Sequence, residues 1–250
     1  MKLVLSVIIV LFSFSLEAGS KLPIAKWAGS VKPLTIGSQI PNVNLWTGNG
    51  DPVLLRKLIK KKPTVIMFYQ GYWSPFCSEQ LDNIQAVYTK LKKMGYQVLA
   101  ISPDSPHKLQ RSVKNKHLNY VLLSDYHLEA ARSFGLAYRL SKDSAMKIKK
   151  KYGADLRHIK GEDHYNLPVP GVFIADTQGK IHFQYVNPNI EAQLSSGLLI
   201  EAAKMVSMNT KSTMYTKINK TNKTNKIKKV EKVKKSTKTK TSTGTPNKDS

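Results

Sequence analysis

Cysteine is nearly missing from this chain: Cys77 is the only one in 250 residues. A single thiol excludes an internal disulfide, a multi-cysteine zinc site and a dithiol redox pair. Acidic residues are scarce too, 16 against 40 basic ones, and the net charge is +24. Such a chain is drawn to anionic surfaces, whether nucleic acid, lipid or acidic polymer. No zinc-finger spacing, RNP-like run or helix-turn-helix signal accompanies the charge, so no specific nucleic-acid binding is expected. The six histidines fall at no metal-ligand spacing. His158 and His164 form only a loose pair in a polar stretch, and no metal or cofactor is expected.

Long apolar runs are also lacking. The longest, Leu3 to Phe14, is broken by Ser6 and Ser13 and is shorter than the about 20 residues a membrane helix needs. It follows Met1-Lys2 and precedes Leu16-Glu17-Ala18, which has the charge, length and small-residue end of an export signal. Residues 1–18 are therefore expected to be a signal peptide; an uncleaved anchor is the alternative. No cysteine follows this segment, which excludes lipid attachment at a processed cysteine. Export places the protein in the periplasm or outside the cell, where disulfides are allowed. There the lone thiol is buried and inert, bridged to another molecule, or chemically used.

The charge is uneven. From Asn209 onward stand thirteen lysines against Glu231 and Asp249. Asn-Lys recurs in this stretch, and apolar periodicity is absent. Residues 208–250 cannot bury enough surface to offset ordering entropy. They read as a disordered tail, with an electrostatic tether to an anionic, envelope-associated surface as the sharper alternative.

Between leader and tail, residues 19–32 form an N-terminal segment and 33–207 a single domain. Val43 to Trp46 and Pro52 to Leu55 flank a Gly/Asn/Asp turn and predict a hairpin. A short amphipathic helix follows to Lys62. Thr64 to Tyr69 is a continuous β-branched and aromatic run, which predicts a strand buried on both faces. Leu81, Ile84, Val87 and Leu91 recur at helical spacing, with Ser74 as N-cap and Pro75 in the first turn. Further strands are expected at 96–102, 120–125, 172–176 and 181–186. Helices are expected at 108–115, 128–134, 141–152 and 190–207, the lysine-rich third of these as an insertion. Strand–helix alternation ending in a hairpin and a helix gives an α/β sandwich with a central mixed sheet.

Cys77 falls just inside the helix that Ser74 caps. A helix N-terminus favours negative charge, so it is expected to lower the thiol pKa and make a nucleophile. Ser74 stands where a redox partner thiol would be needed.

Strand, Trp73-Ser74-Pro75-Phe76-Cys77, helix, strand, helix and then Leu167-Pro168-Val169-Pro170-Gly171 resembles the thioredoxin fold. Within it, the chain resembles the peroxiredoxin-like branch of the alkyl hydroperoxide reductase and thiol-specific antioxidant (AhpC/TSA, redoxin) group. Ile101-Ser102-Pro103-Asp104, Leu123-Ser124-Asp125 and the stretch through Asp176, Gly179 and Ile181 support this. In the Trp-Cys-Pro-x-Cys pattern of reductases, Ser74 replaces the first cysteine. In the Pro-x-x-x-Thr-x-x-Cys pattern of peroxiredoxins, Cys77 falls on the peroxide-attacking cysteine and Ser74 on the threonine. Two positions depart: Gln70 replaces the proline or arginine, and Pro170 replaces a late-strand arginine. Pro170 resembles instead the proline, usually cis, that faces the active site of thioredoxins. A lysine or Arg139 is left to supply a cation beside Cys77.

The resemblance implies an antioxidant thiol peroxidase with Cys77 and Ser74 as catalytic residues. Tyr69, Trp73, Phe76 and Pro170 would form the substrate pocket. It implies a peroxide substrate, a Cys77 sulfenic acid, and resolution by an external thiol or by Cys77 of a second chain in a homodimer. Two other readings stand beside it: a degenerate thioredoxin-fold binding or chaperone protein, and a monothiol disulfide-exchange protein.

Overall fold

The computed structural model of the chain describes residues 23–154, 156 and 165–210, side chains of 113–116 excepted. The leader, most of the lysine-rich tail, His158 and His164 lie outside the described residues. Strand β3 (Thr64–Phe68) is buried at every position, as its β-branched and aromatic run requires. Its side chains alternate between two cores. Val65 and Met67 enter one, with Tyr69 just beyond the strand; Ile66 and Phe68 enter the other.

Around β3 the sheet grows in both directions. On one side lie β4 (Gln97–Ser102) and β5 (Val121–Ser124), each parallel to its neighbour. On the other lie β8 (Gly171–Ala175) and β9 (Ile181–Val186), both antiparallel. The hairpin β1 (Asn44–Trp46) and β2 (Pro52–Leu54) closes the far edge. The order is β2-β1-β5-β4-β3-β8-β9, the mixed sheet expected of the sequence.

Helix α2 (Pro75–Lys93) buries Cys77, Leu81, Ile84 and Leu91 along one stripe. That stripe packs on the Val65–Met67 face together with a helix over 196–210. Lys90, Lys92 and Lys93 crowd its last turn, where positive charge meets the negative end of the helix dipole. The remaining helices are α1 (Leu55–Ile59), α3 (Pro106–Lys116), α4 (Glu129–Ser133) and α5 (Lys142–Tyr152).

Three features depart from the sequence expectation. A separate two-stranded ribbon, β6 (Ala137–Leu140) with β7 (Tyr165–Pro168), stands beside the main sheet. Ala25 joins it: its N–H donates to Ala137 O, and its carbonyl accepts from Arg139 N–H. Ala25, Ala28 and Val31 thereby pack on a third small core with Tyr138, Leu167 and Val169. The closing helix begins at 196, not 190. Asn187 and Asn189 each accept from a backbone N–H two residues on, and these side-chain turns compete with the first helical turn. Pro170 is trans, since no cis peptide bond occurs among the described residues.

Candidate active site

Strand β3 delivers the chain to the site and β4 holds it there. Tyr69 N–H continues the ladder by donating to Ile101 O. Gly71 then turns at φ +139°, a left-handed conformation that favours glycine. A Cβ there would also lie 2.5 Å from Trp73 Nε1 and 3.0 Å from Asp104 Oδ1. Asp104, two residues past the end of β4, fixes this turn: its Oδ2 accepts from Tyr72 N–H at 2.9 Å and from Ser102 Oγ at 3.0 Å. Ser74 then caps α2, its Oγ accepting from Cys77 N–H at 3.4 Å. The cap and the thiol are 2% and 3% exposed.

Burial dominates the thiol's electrostatics and pushes the Cys77 pKa up from the ordinary thiol value. The Ser74 hydroxyl and the backbone amides of Gln70 and Gly71 pull it down, and the Asp104 charge adds to the rise. The expected lowering by the helix start is thus overturned: desolvation outweighs the dipole. Arg139 is exposed on β6 and does not supply a cation. Gln70 instead donates from Nε2 to the Tyr138 hydroxyl at 3.1 Å. It tethers the cysteine loop to the small ribbon. Burial raises that phenol to about 12.

Cys77 opens on a cavity of about 30 Å³, lined among others by Tyr69, Phe76, Gln80, Pro170 and Gln193 and, among the described residues, by no charged side chain. Three of the four pocket residues named from the sequence meet here. The fourth, Trp73, does not. It turns to a second cavity of about 230 Å³ with Tyr72, Asp104, Lys108 and Arg111, and its ring sits 6.0 Å from that of Tyr152. Burial carries the Tyr69 hydroxyl well above the phenol range, with Asp104 adding to the shift, so it is a poor acid.

Sequence reasoning missed Gln80 and Gln193. Gln80 Nε2 donates to Leu194 O at 3.3 Å, and Gln193 Nε2 donates to the carbonyl of Phe76, one residue before the thiol. Together they stitch α2 to the segment before the last helix. No motif signals them; only the chain's return past β9 brings Gln193 to Cys77. Among the described residues no three His, Cys, Asp or Glu side chains gather to hold a metal.

The pattern of the AhpC/TSA family matches residues 36–184, a span that takes in β1 and the Cys77 helix and most of β9. The chain belongs to the AhpC/TSA family. Among similar proteins, peroxiredoxin Bcp of Escherichia coli is 32% identical over 106 residues, covering 42% of this chain and 67% of that protein. The chloroplastic peroxiredoxin Q of Sedum lineare is 29% identical over 154 residues, 62% of this chain and 70% of that one. Two solved structures share the fold. Peroxidoxin BcpB of Mycobacterium tuberculosis superposes with a TM-score of 0.55 at 18% identity, covering 69% of this chain and 98% of its own. Reduced Prx3 of Vibrio vulnificus, in complex with hydrogen peroxide, gives 0.54 at 16% identity, covering 68% and 99%. Gln193 lies beyond the span that the AhpC/TSA pattern matches.

Proposed function

We propose that this AhpC/TSA-family chain is an exported one-cysteine thiol peroxidase. One observation carries the reading: the only thiol of the chain borders a cavity of about 30 Å³, and a hydroxyl and two backbone amides bear on its sulfur. A water needs about 10–15 Å³ by this measure, so the space takes two water-sized groups, the size of hydrogen peroxide or of the –OOH end of an organic hydroperoxide. The Cys77 thiolate attacks the terminal oxygen, the O–O bond breaks, and sulfenic acid and hydroxide or alkoxide result. The leaving oxygen takes its proton from water, because burial makes the Tyr69 phenol too weak an acid to supply it. An external thiol condenses with the sulfenic acid, releasing water and leaving a mixed disulfide. A second thiol frees Cys77. Cys77 of a second chain is the alternative resolving group. Residues 1–18 support export, and the lysine-rich tail supports contact with an anionic surface.

The raised thiol pKa sets the pH dependence. Only the thiolate reacts, so below its pKa the rate climbs about tenfold per pH unit. The test is the second-order rate of Cys77 with hydrogen peroxide and with an organic hydroperoxide, with dimedone trapping of the sulfenic acid. A rate no faster than that of a free thiol sinks the peroxidase.

A second reading has its own observation. No lysine or arginine among the described residues lines the Cys77 cavity, and burial dominates the thiol, which favours a thioredoxin-fold binding protein that no longer uses redox chemistry. It predicts that Cys77→Ser keeps the cellular role; loss of that role in a folded variant counts against it.

A further inference from the structure

The side-chain amide of Gln193 has one end committed. Its Nε2 donates to the Phe76 carbonyl, and a carbonyl oxygen only accepts, which fixes the orientation of the amide. The other end, Oε1, is buried and meets no hydrogen-bond donor among the described residues. A buried acceptor left unpaired is destabilising, so what occupies the adjoining space decides whether Oε1 finds a donor. Gln193 and Cys77 line the same cavity, which has room for two water-sized groups. Both residues border the space that a peroxide approaching the sulfur would enter.

We propose that Gln193 positions the hydroperoxide over Cys77, its Oε1 accepting the O–H of the oxygen that Cys77 attacks. The inference rests on the peroxidase reading and deepens it. The chemistry fits both sides of the step. The attacked oxygen of H–O–O–H or R–O–O–H carries the hydrogen that Oε1 needs. When the sulfur–oxygen bond forms and the O–O bond breaks, that oxygen keeps its hydrogen and becomes the sulfenic S–O–H. One hydrogen bond to Oε1 therefore serves substrate and product, while the departing hydroxide or alkoxide collects its proton elsewhere. Among the described residues no cation lines the cavity, so orientation here comes from an acceptor fixed by α2 itself rather than from an arginine. Gln80, committed to Leu194 O, braces the same wall.

Gln193→Met keeps the length of the side chain and removes the acceptor; Gln193→Ala serves if the first variant does not fold. Two rates are read on each full-length protein at several pH values: sulfenic acid formation with hydrogen peroxide, and alkylation of Cys77 by iodoacetamide. The alkylating agent needs thiolate and access but has no peroxide O–H to place. The expected result is a fall of about tenfold or more in the peroxide rate, the size of one lost hydrogen bond in the transition state. The alkylation rate and its pH midpoint should hold within about threefold and a few tenths of a pH unit, a margin well short of one such bond. Equal falls in both rates, or no fall in either, overturn the positioning role alone. A wild-type peroxide rate no faster than that of a free thiol overturns the peroxidase reading, and the positioning role with it.

Discussion

The Cys77 cavity and the cavity lined by Tyr72 and Trp73 are unlike. The one at Cys77 is about 30 Å³ and, among the described residues, has no charged lining; the other is about 230 Å³ and carries Asp104, Lys108 and Arg111. Although the net charge is +24, no lysine or arginine among the described residues lines the cavity at the only thiol. The thiol is surrounded instead by dipoles: the Ser74 hydroxyl, two backbone amides and the carboxamides of Gln80 and Gln193. Dipoles cost less to bury than charges, but they do not offset the desolvation of the thiolate, and its pKa ends up raised. Reactivity at Cys77 must then come from placement of the peroxide more than from the abundance of thiolate.

Substitutions at the boundary between the cavities sharpen this contrast. The largest effect is expected from Gly71→Ala. A side chain at φ +139° is strained and meets Trp73 and Asp104, so a loss of about 1–3 kcal/mol is expected in denaturant unfolding, with misplacement of Cys77. Unchanged stability would show that the turn does not hold the two cavities apart. Ser74→Ala comes next. It removes the cap, worth about 1 kcal/mol, and one of the groups that lower the thiol pKa, so the midpoint of Cys77 alkylation moves up. Ser74→Thr should restore both.

Asp104→Asn moves the midpoint the other way. The carboxylate raises the thiol pKa through its charge, and neutralising it favours the thiolate. Alkylation at neutral pH should speed up even as the Tyr72 N–H bond loses its charged acceptor. A rise in the midpoint would mean that Asp104 acts on Cys77 through loop position alone. Arg111→Gln is the smallest: it lies in the charged cavity only, and the Cys77 pH profile should stay put. A shift would show the cavities to be electrically coupled.

Much of the frame was legible in the residues. The buried run at β3, the Ser74 cap with Pro75 behind it, and the Leu81–Ile84–Leu91 stripe are local patterns, and each became the element it predicts. The β6–β7 ribbon was not legible, because each strand is four residues long and its partner lies far along the chain. The direction of the Cys77 shift was missed for a related reason. A helix start is visible in sequence, whereas the depth of burial is set by β8, the 187–194 segment and the last helix closing over it. Trp73 was misplaced because it precedes the helix, where no periodicity assigns a face. Gln193 reaches Phe76 across 117 positions of chain and belongs to no motif.

The most direct test is the hydrogen peroxide rate of Cys77 per thiolate, measured across neutral and alkaline pH beside a free thiol and corrected by the alkylation midpoint. A peroxidase whose site works by placement predicts a rate per thiolate well above that of the free thiol at every pH, with the observed rate rising toward alkaline pH. A rate per thiolate equal to or below the free thiol's would contradict it and leave Cys77 as a buried residue of a binding fold.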